Sequence, residues 1–283
     1  MKILDSIDSV AAQYDAVFCD IWGVVHNGRR AYPAACAALQ RLRAAGKHVI
    51  LLSNVPRPRS VIPAQLAKVG ARSDAWDAIV TSGDATRAAL EARAPGPVFR
   101  IGIAEYDTPL YEGLELEEAP LESARFISIT GLFRWEDTPE QYVDILRDAR
   151  ARDLEMVCAN PDIVVQSGDR LLWCAGAIAG DYEKIGGRVI MAGKPFAPIY
   201  DLAYRELEAL AGRPVDRARI LCIGDGVGTD IAGANGQNLD SVFIASGMHG
   251  EALWTNGRAD AVKVEAELAK ENVRTNYVMS ALA

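Results

Sequence analysis

Four stretches of this 283-residue chain end an apolar run on a residue able to do chemistry. "VFCDIWGVVHNG" carries Asp20, "VILLSN" carries Ser53, "VIMAGKP" carries Lys194, and "ILCIGDGVGTD" carries both Asp225 and Asp230. Singly, each is ordinary: a turn aspartate, a capping serine or a solvated lysine would read the same way. Together they make a set. A carboxylate can attack phosphorus, a hydroxyl and an ammonium can hold phosphate oxygens, and two further carboxylates can hold a hard cation.

These residues need elements that bring them to one place. Ala16 to Cys19 reads as a buried strand ending at Asp20, and Lys47 to Leu52 as a strand ending at Ser53. Between them a helix is predicted from about Pro33 to Ala45, with Pro33 in its first turn and Gly46 closing it. Trp76–Val80 is a further strand, followed by a helix start at Thr81–Asp84. Repeated strand–loop–helix units imply a doubly wound parallel sheet, whose ligands lie beyond the carboxyl ends of its strands.

The middle of the chain has its own α/β pattern. Strands are expected at Val98–Ile103, Arg125–Thr130, Glu155–Cys158 and Ile163–Gln166, with helices near Pro139–Arg152 and Ala175–Ile185. A strand at Val189–Met191 then starts a second core-like series: a helix at Ile199–Leu210, a strand at Ile220–Ile223, a short helix at Asp230–Gly236 and a strand at Ser241–Ala245. The chemistry lies on both sides of the middle stretch, so the expected organisation is one domain interrupted by another. The core is residues 1–83 and 188–283, and the inserted α/β cap is residues 84–187.

Composition excludes several classes. The net charge of −8, with no Lys/Arg cluster, argues against a nucleic-acid surface, which needs a basic footprint. No apolar stretch is long enough to span a bilayer, so no membrane partner is expected. The five cysteines form no CxxC pair, and Met1 to Asp15 has neither the basic start nor the apolar core of a signal peptide. A cytoplasmic location follows as the expectation.

The same motifs resemble the haloacid-dehalogenase-like superfamily, and more closely its class IIA branch of nitrophenyl-phosphatase-like and nucleotide- or sugar-phosphatase-like enzymes. "DIWGVVHNG", "YPAA", "VILLSNVPRP", "TSGDAT", "CANPD", "GAIAGDYEKIGG", "GKPFAPIY" and "GDGVGTDIAGANG" follow that branch's order over roughly residues 15–247. The resemblance implies a Rossmann-like core with an inserted α/β cap, Mg²⁺ as cofactor and a small phosphorylated molecule as substrate. It assigns Asp20 as nucleophile and metal ligand, with the residue 22 carbonyl, Asp225 and Asp230 completing the metal set. Ser53 and the Asn54 amide would hold a phosphate oxygen. Lys194 would pair with the phosphate and keep Asp20 ionised. Dehalogenation is disfavoured because it needs no metal, whereas both acidic partners are present. A homodimer interface, if formed, would fall on the cap.

One position departs from the pattern. Phosphatases of the superfamily usually carry an acid/base aspartate two residues after the nucleophile, and here that residue is Trp22. An indole N–H donates a hydrogen bond but does not exchange a proton at neutral pH. Two readings follow: another group, with His26 the nearest titratable candidate, transfers the proton, or the protein binds phosphate and Mg²⁺ with little turnover. In the cap, Asn160 and Asp162 of "CANPD" read equally as substrate contacts or as turn formers. Arg57 and Arg59 read as phosphate-side charge or as surface charge. Phe133, Trp135 and Trp173 read as ring-stacking or as core residues.

Overall fold

The computed structural model describes residues 1–167, 170–247 and 250–283. Its larger sheet begins with β1 (Lys2–Ile3), β2 (Ala16–Cys19), β3 (His48–Ser53) and β4 (Ala78–Thr81). The cap contributes β5 (Val98–Ile101), β6 (Phe126–Ile129), β7 (Glu155–Cys158), β8 (Val164–Ser167), β9 (Arg170–Trp173) and β10 (Arg188–Met191). Beyond it run β11 (Ile220–Gly224), β12 (Asp240–Ile244), the small hairpin β13 (Trp254–Thr255) with β14 (Arg258–Ala259), and β15 (Tyr277–Met279). The larger sheet is parallel, in the order β1-β15-β12-β11-β2-β3-β4.

β2 is buried at all four residues, as expected of a strand covered on both faces. Val17 and Cys19 pack with Leu39 and Leu42 of the helix Pro33–Ala44 on one face. Ala16 and Phe18 pack with Ile199, Tyr200 and Ala203 of the helix Ala197–Ala211 on the other. Register then sets the site. Cys19 lies opposite Leu51 of β3 and Ile223 of β11, so Asp20 emerges level with Leu52 and Gly224. The Asp20 amide donates to the Ile223 carbonyl at 2.8 Å, extending the ladder by one residue.

The cap is built on a second parallel sheet, β10-β7-β6-β5, and β8–β9 form a separate antiparallel pair. The sequence reading placed the strand Val189–Met191 with the core. It is instead β10, paired with β7 from Arg188↔Glu155 to Met191↔Cys158. A short apolar strand carries no mark of which sheet it joins; the return helix Ala175–Lys184 delivers it to the free edge of β7. The chain therefore rejoins the larger sheet's layer only after Met191. The outward crossing also differs from the expected break at residue 83. It runs inside the helix Ser82–Glu91, whose first turn is capped by the Thr81 hydroxyl and whose Leu90 is buried with Val98 and Phe126 of the cap. Among the described residues, no helix is long and apolar enough to cross a membrane.

Candidate active site

Every polar residue singled out at a strand end reaches one cleft. Asp20, Ser53, Asn54, Lys194, Asp225 and Asp230 line a cavity of about 530 Å³ between the larger sheet and the cap. All six are buried, Lys194 at 2% exposure. A lysine so enclosed must be paired. Its Nζ donates to Asp20 Oδ1 at 2.5 Å, to Asp230 Oδ1 at 2.7 Å and to the Leu52 carbonyl at 2.9 Å, which uses all three ammonium hydrogens. Burial alone would lower its pKa, but the charges of Asp20 and Asp230 more than reverse this and raise it. Burial pushes the Asp20 carboxyl upward while Lys194 pulls it down.

Asp20, Asp225 and Asp230 each bring a carboxylate oxygen within 4.8 Å of the other two. Three buried carboxylates against one ammonium leave an excess of negative charge, and a small set of hard oxygens suits a Mg²⁺ ion. The glycines around them fit this purpose. A Cβ on Gly23 or Gly247 would fall 2.0 Å from Asp225 Oδ2, and one on Gly224 would fall 2.1 Å from Asp230 Cγ. Gly23 also has φ +81°, a conformation that other residues adopt at a cost. Gly226 donates its N–H to Asp230 Oδ2 at 2.9 Å, which fixes that carboxylate's second oxygen.

Lys194 is held from behind by Asn54. The amide side chain accepts from the Lys194 N–H at 2.7 Å and donates to the Lys194 carbonyl at 3.1 Å. The same Nδ2 donates to Asp162 Oδ1 at 2.8 Å, joining a cap loop to the core. Asn160 and Asp162 both line the cavity, and the Asn160 side chain also accepts from the Asp162 N–H at 3.1 Å. That loop thus makes the turn and lines the cavity at once. Ser53 lines the cavity too, and its Oγ accepts from the Val55 N–H at 3.3 Å.

Trp22 forms part of the cavity wall, its ring packed against Gly28 and edge-on to His26 with centroids 4.8 Å apart. His26 itself is buried behind that ring and is not among the lining side chains. Its Nδ1 accepts the Gly28 N–H at 2.8 Å, and burial lowers its pKa to about 4. The His26 side chain is therefore not among those that face the cavity.

Neither Arg57 nor Arg59 is among the residues that line the cavity. Arg59 pairs with Asp84 and Glu206, and Arg57 lies over the Tyr106 ring at 4.4 Å. Of the cap aromatics, Trp135 and Trp173 line the cavity, whereas Phe133 stacks on Tyr142. Sequence reasoning missed Asp107, Thr130 and Tyr106 on the cap wall, and Tyr32 and Thr229 on the core side. Asp107 and Tyr106 sit on the helix Ala104–Tyr111, whose Pro109 masked any helical signal.

Comparison with known proteins agrees with this arrangement. A family model described as haloacid dehalogenase-like hydrolase matches residues 17–112, and one described as HAD-hydrolase-like matches residues 191–283. These two segments contain Asp20, Ser53, Lys194, Asp225 and Asp230. A solved hydrolase of the haloacid dehalogenase-like family from Brucella suis is 42% identical, with a TM-score of 0.89, 99% of this chain and 100% of that one being covered. Mouse chronophin is 26% identical over 91% of each chain. A Mycobacterium tuberculosis glycerol phosphate phosphatase, solved in complex with magnesium, superimposes with a TM-score of 0.65 at 22% identity, covering 95% of this chain and 76% of that one.

Proposed function

Because the chain belongs to the haloacid dehalogenase-like hydrolases, we propose that it is a Mg²⁺-dependent phosphohydrolase acting on a small phosphorylated molecule through Asp20. The observation that carries this reading is the Lys194 ammonium bridging Asp20 and Asp230, with Asp225 in the same carboxylate cluster.

Asp20 is the nucleophile. One carboxylate oxygen attacks phosphorus, the P–O bond to the alcohol breaks, and an aspartyl phosphate forms; water then attacks phosphorus and restores the carboxylate. Lys194 holds Asp20 ionised and, as the phosphate enters, offers its charge to the phosphate oxygens. Ser53 and the Asn54 amide hold one of those oxygens, and the Asn54 side chain positions Lys194. Asp20, the carbonyl of Trp22, Asp225 and Asp230 hold the cation. When bound, Mg²⁺ neutralises charge on the transferred phosphoryl group and orients it for in-line attack. Asn160 and Asp162 present the substrate side of the cap loop.

Trp22 in the wall favours a second reading, a phosphate- and Mg²⁺-binding protein with little turnover, since no indole supplies the proton that the departing alcohol needs. One experiment separates the two: phosphate release from nitrophenyl phosphate by the wild type and by Asp20→Asn, with Mg²⁺ and with chelator. Metal-dependent release that disappears in Asp20→Asn supports the phosphohydrolase. Mg²⁺-dependent binding of phosphate by calorimetry without release supports the binder.

A further inference from the structure

The Asn54 side chain ties the backbone of Lys194 to the cap. Its Oδ1 accepts from the Lys194 N–H at 2.7 Å, and because a backbone N–H can only donate, this fixes the amide's orientation. Its Nδ2 then donates one hydrogen to the Lys194 carbonyl at 3.1 Å and the other to Asp162 Oδ1 at 2.8 Å. Both hydrogens are spent. Asn54 is buried, so losing the Asp162 acceptor would leave an enclosed N–H without a partner, which is costly.

Asp162 is held on the cap side by its backbone alone. Its N–H donates to Asn160 Oδ1 at 3.1 Å, and its carbonyl accepts from the Gly176 N–H, also at 3.1 Å, in the first turn of the helix Ala175–Lys184. The carboxylate is left to face Asn54. The joint is close: a Cβ at Gly193, the residue before Lys194, would fall 2.6 Å from Asn54 Oδ1 and 2.7 Å from Pro161 Cδ. Core loop and cap loop therefore close on the same short piece of chain. Charge also argues against Asp162 as a phosphate contact. The cavity already holds Asp20, Asp225 and Asp230, and a further carboxylate repels an incoming phosphate.

We infer that Asp162 is a positioning residue for Lys194, acting through Asn54, so that the seated cap loop aligns the ammonium that serves Asp20 and the phosphate. This inference rests on the phosphohydrolase reading for the role of Lys194. The Lys194 Nζ has to meet Asp20, Asp230 and a phosphate oxygen together, and small displacements of such a group are expensive in rate. Without Asp162, the Asn54 amide turns to find another acceptor and releases the Lys194 backbone. The leaving group takes no part in this, so every phosphorylated substrate loses rate by the same factor.

The test uses the full chain with Mg²⁺ and two substrates of different size, nitrophenyl phosphate and acetyl phosphate. Inorganic phosphate is titrated into each protein by calorimetry as a readout that needs no turnover. Asp162→Ala keeps both backbone bonds of the loop, and Asn54→Ala keeps the amide that holds phosphate. Each should lower kcat/KM by roughly ten- to a hundredfold on both substrates. The double variant should be no worse than Asn54→Ala, because the two side chains act as one unit. The Asp162 charge also acts directly on Lys194 and Asp230, and Asp162→Asn separates that effect from alignment. It removes the charge but keeps an oxygen for Asn54 Nδ2, so it should recover most of the loss, and phosphate affinities should follow the same order. Additive losses, a loss confined to one substrate, or Asp162→Asn as poor as Asp162→Ala would each overturn the positioning role. Wild-type turnover in Asp162→Ala would sink it and leave the phosphohydrolase intact. Phosphate affinities in the expected order, with no hydrolysis by the wild type, would do the reverse.

Discussion

Lys194 Nζ lies 2.5 Å from Asp20 Oδ1, although the two residues are 174 positions apart in the chain. The whole cap intervenes between them, and the Asn54 side chain fixes the lysine backbone at the point of return. The catalytic proposal makes this contact the electrostatic centre of the site, which leads to the first prediction. Lys194→Met should remove metal-dependent hydrolysis almost as fully as Asp20→Asn. It should also destabilise the fold by about 3–5 kcal/mol, because two buried carboxylates lose their counter-charge. Thermal unfolding with and without Mg²⁺ checks this, since the cation should recover more stability in the variant than in the wild type. A variant with wild-type turnover would remove Lys194 from the mechanism.

The second prediction concerns a glycine. Gly247→Ala would place its Cβ 2.0 Å from Asp225 Oδ2, so the carboxylate must move out of the cluster. Mg²⁺ affinity should fall by about tenfold or more, in line with the loss of a well-placed ligand or its support. Calorimetric titration of Mg²⁺ into both proteins measures it. Equal affinities would show that Asp225 is not a ligand.

The third tests the consequence of Trp22. With His26 behind the indole and no carboxylate at position 22, departure of the alcohol depends on its own acidity. Nitrophenyl phosphate should therefore react about 10²–10⁴ times faster than an alkyl phosphate, the usual contribution of acid–base help. Slow hydrolysis of the phosphoenzyme should give a burst of nitrophenol in stopped flow. Trp22→Asp should raise the alkyl phosphate rate and diminish the burst. Equal rates on both esters, without a burst, would mean that another group already supplies the proton.

The fourth follows from His26, whose pKa burial lowers from the ordinary 6.5 to about 4. Between those values the unfolded chain binds the proton and the folded chain does not, so stability falls as pH drops from 6.5 to 4. The full loss from this residue is roughly 3 kcal/mol at 1.36 kcal/mol per pKa unit. Asp107, raised to about 6, acts in the opposite sense below that pH, so the difference between two proteins is the useful quantity. His26→Asn retains an acceptor for the Gly28 N–H and should flatten the acid limb relative to the wild type in urea unfolding at a series of pH values. Parallel curves would show that His26 takes up its proton alike in the folded and the unfolded chain.

Much of the core site was legible because parallel strands buried on both faces leave their first polar residue at the carboxyl edge. Asp20, Ser53 and Asp225 could be read that way, and Asp230 and Lys194 by their motifs. What the linear pattern lacks is pairing. Arg188–Met191 is an apolar strand like those of the core, and only the free edge of β7 decided that it belongs to the cap sheet. The crossing inside Ser82–Glu91 was equally hidden, since one amphipathic helix can bury its first turn in one layer and Leu90 in another. The sequence by itself determined which groups are available and on which edge of a strand each stands, because both follow from local residue type and from the two-residue period of the backbone. Tertiary structure alone decided that one ammonium would bridge Asp20 and Asp230, that Trp22 would screen His26, and that Asp107 would meet Thr130, because each depends on distances set by sheet register and by cap placement.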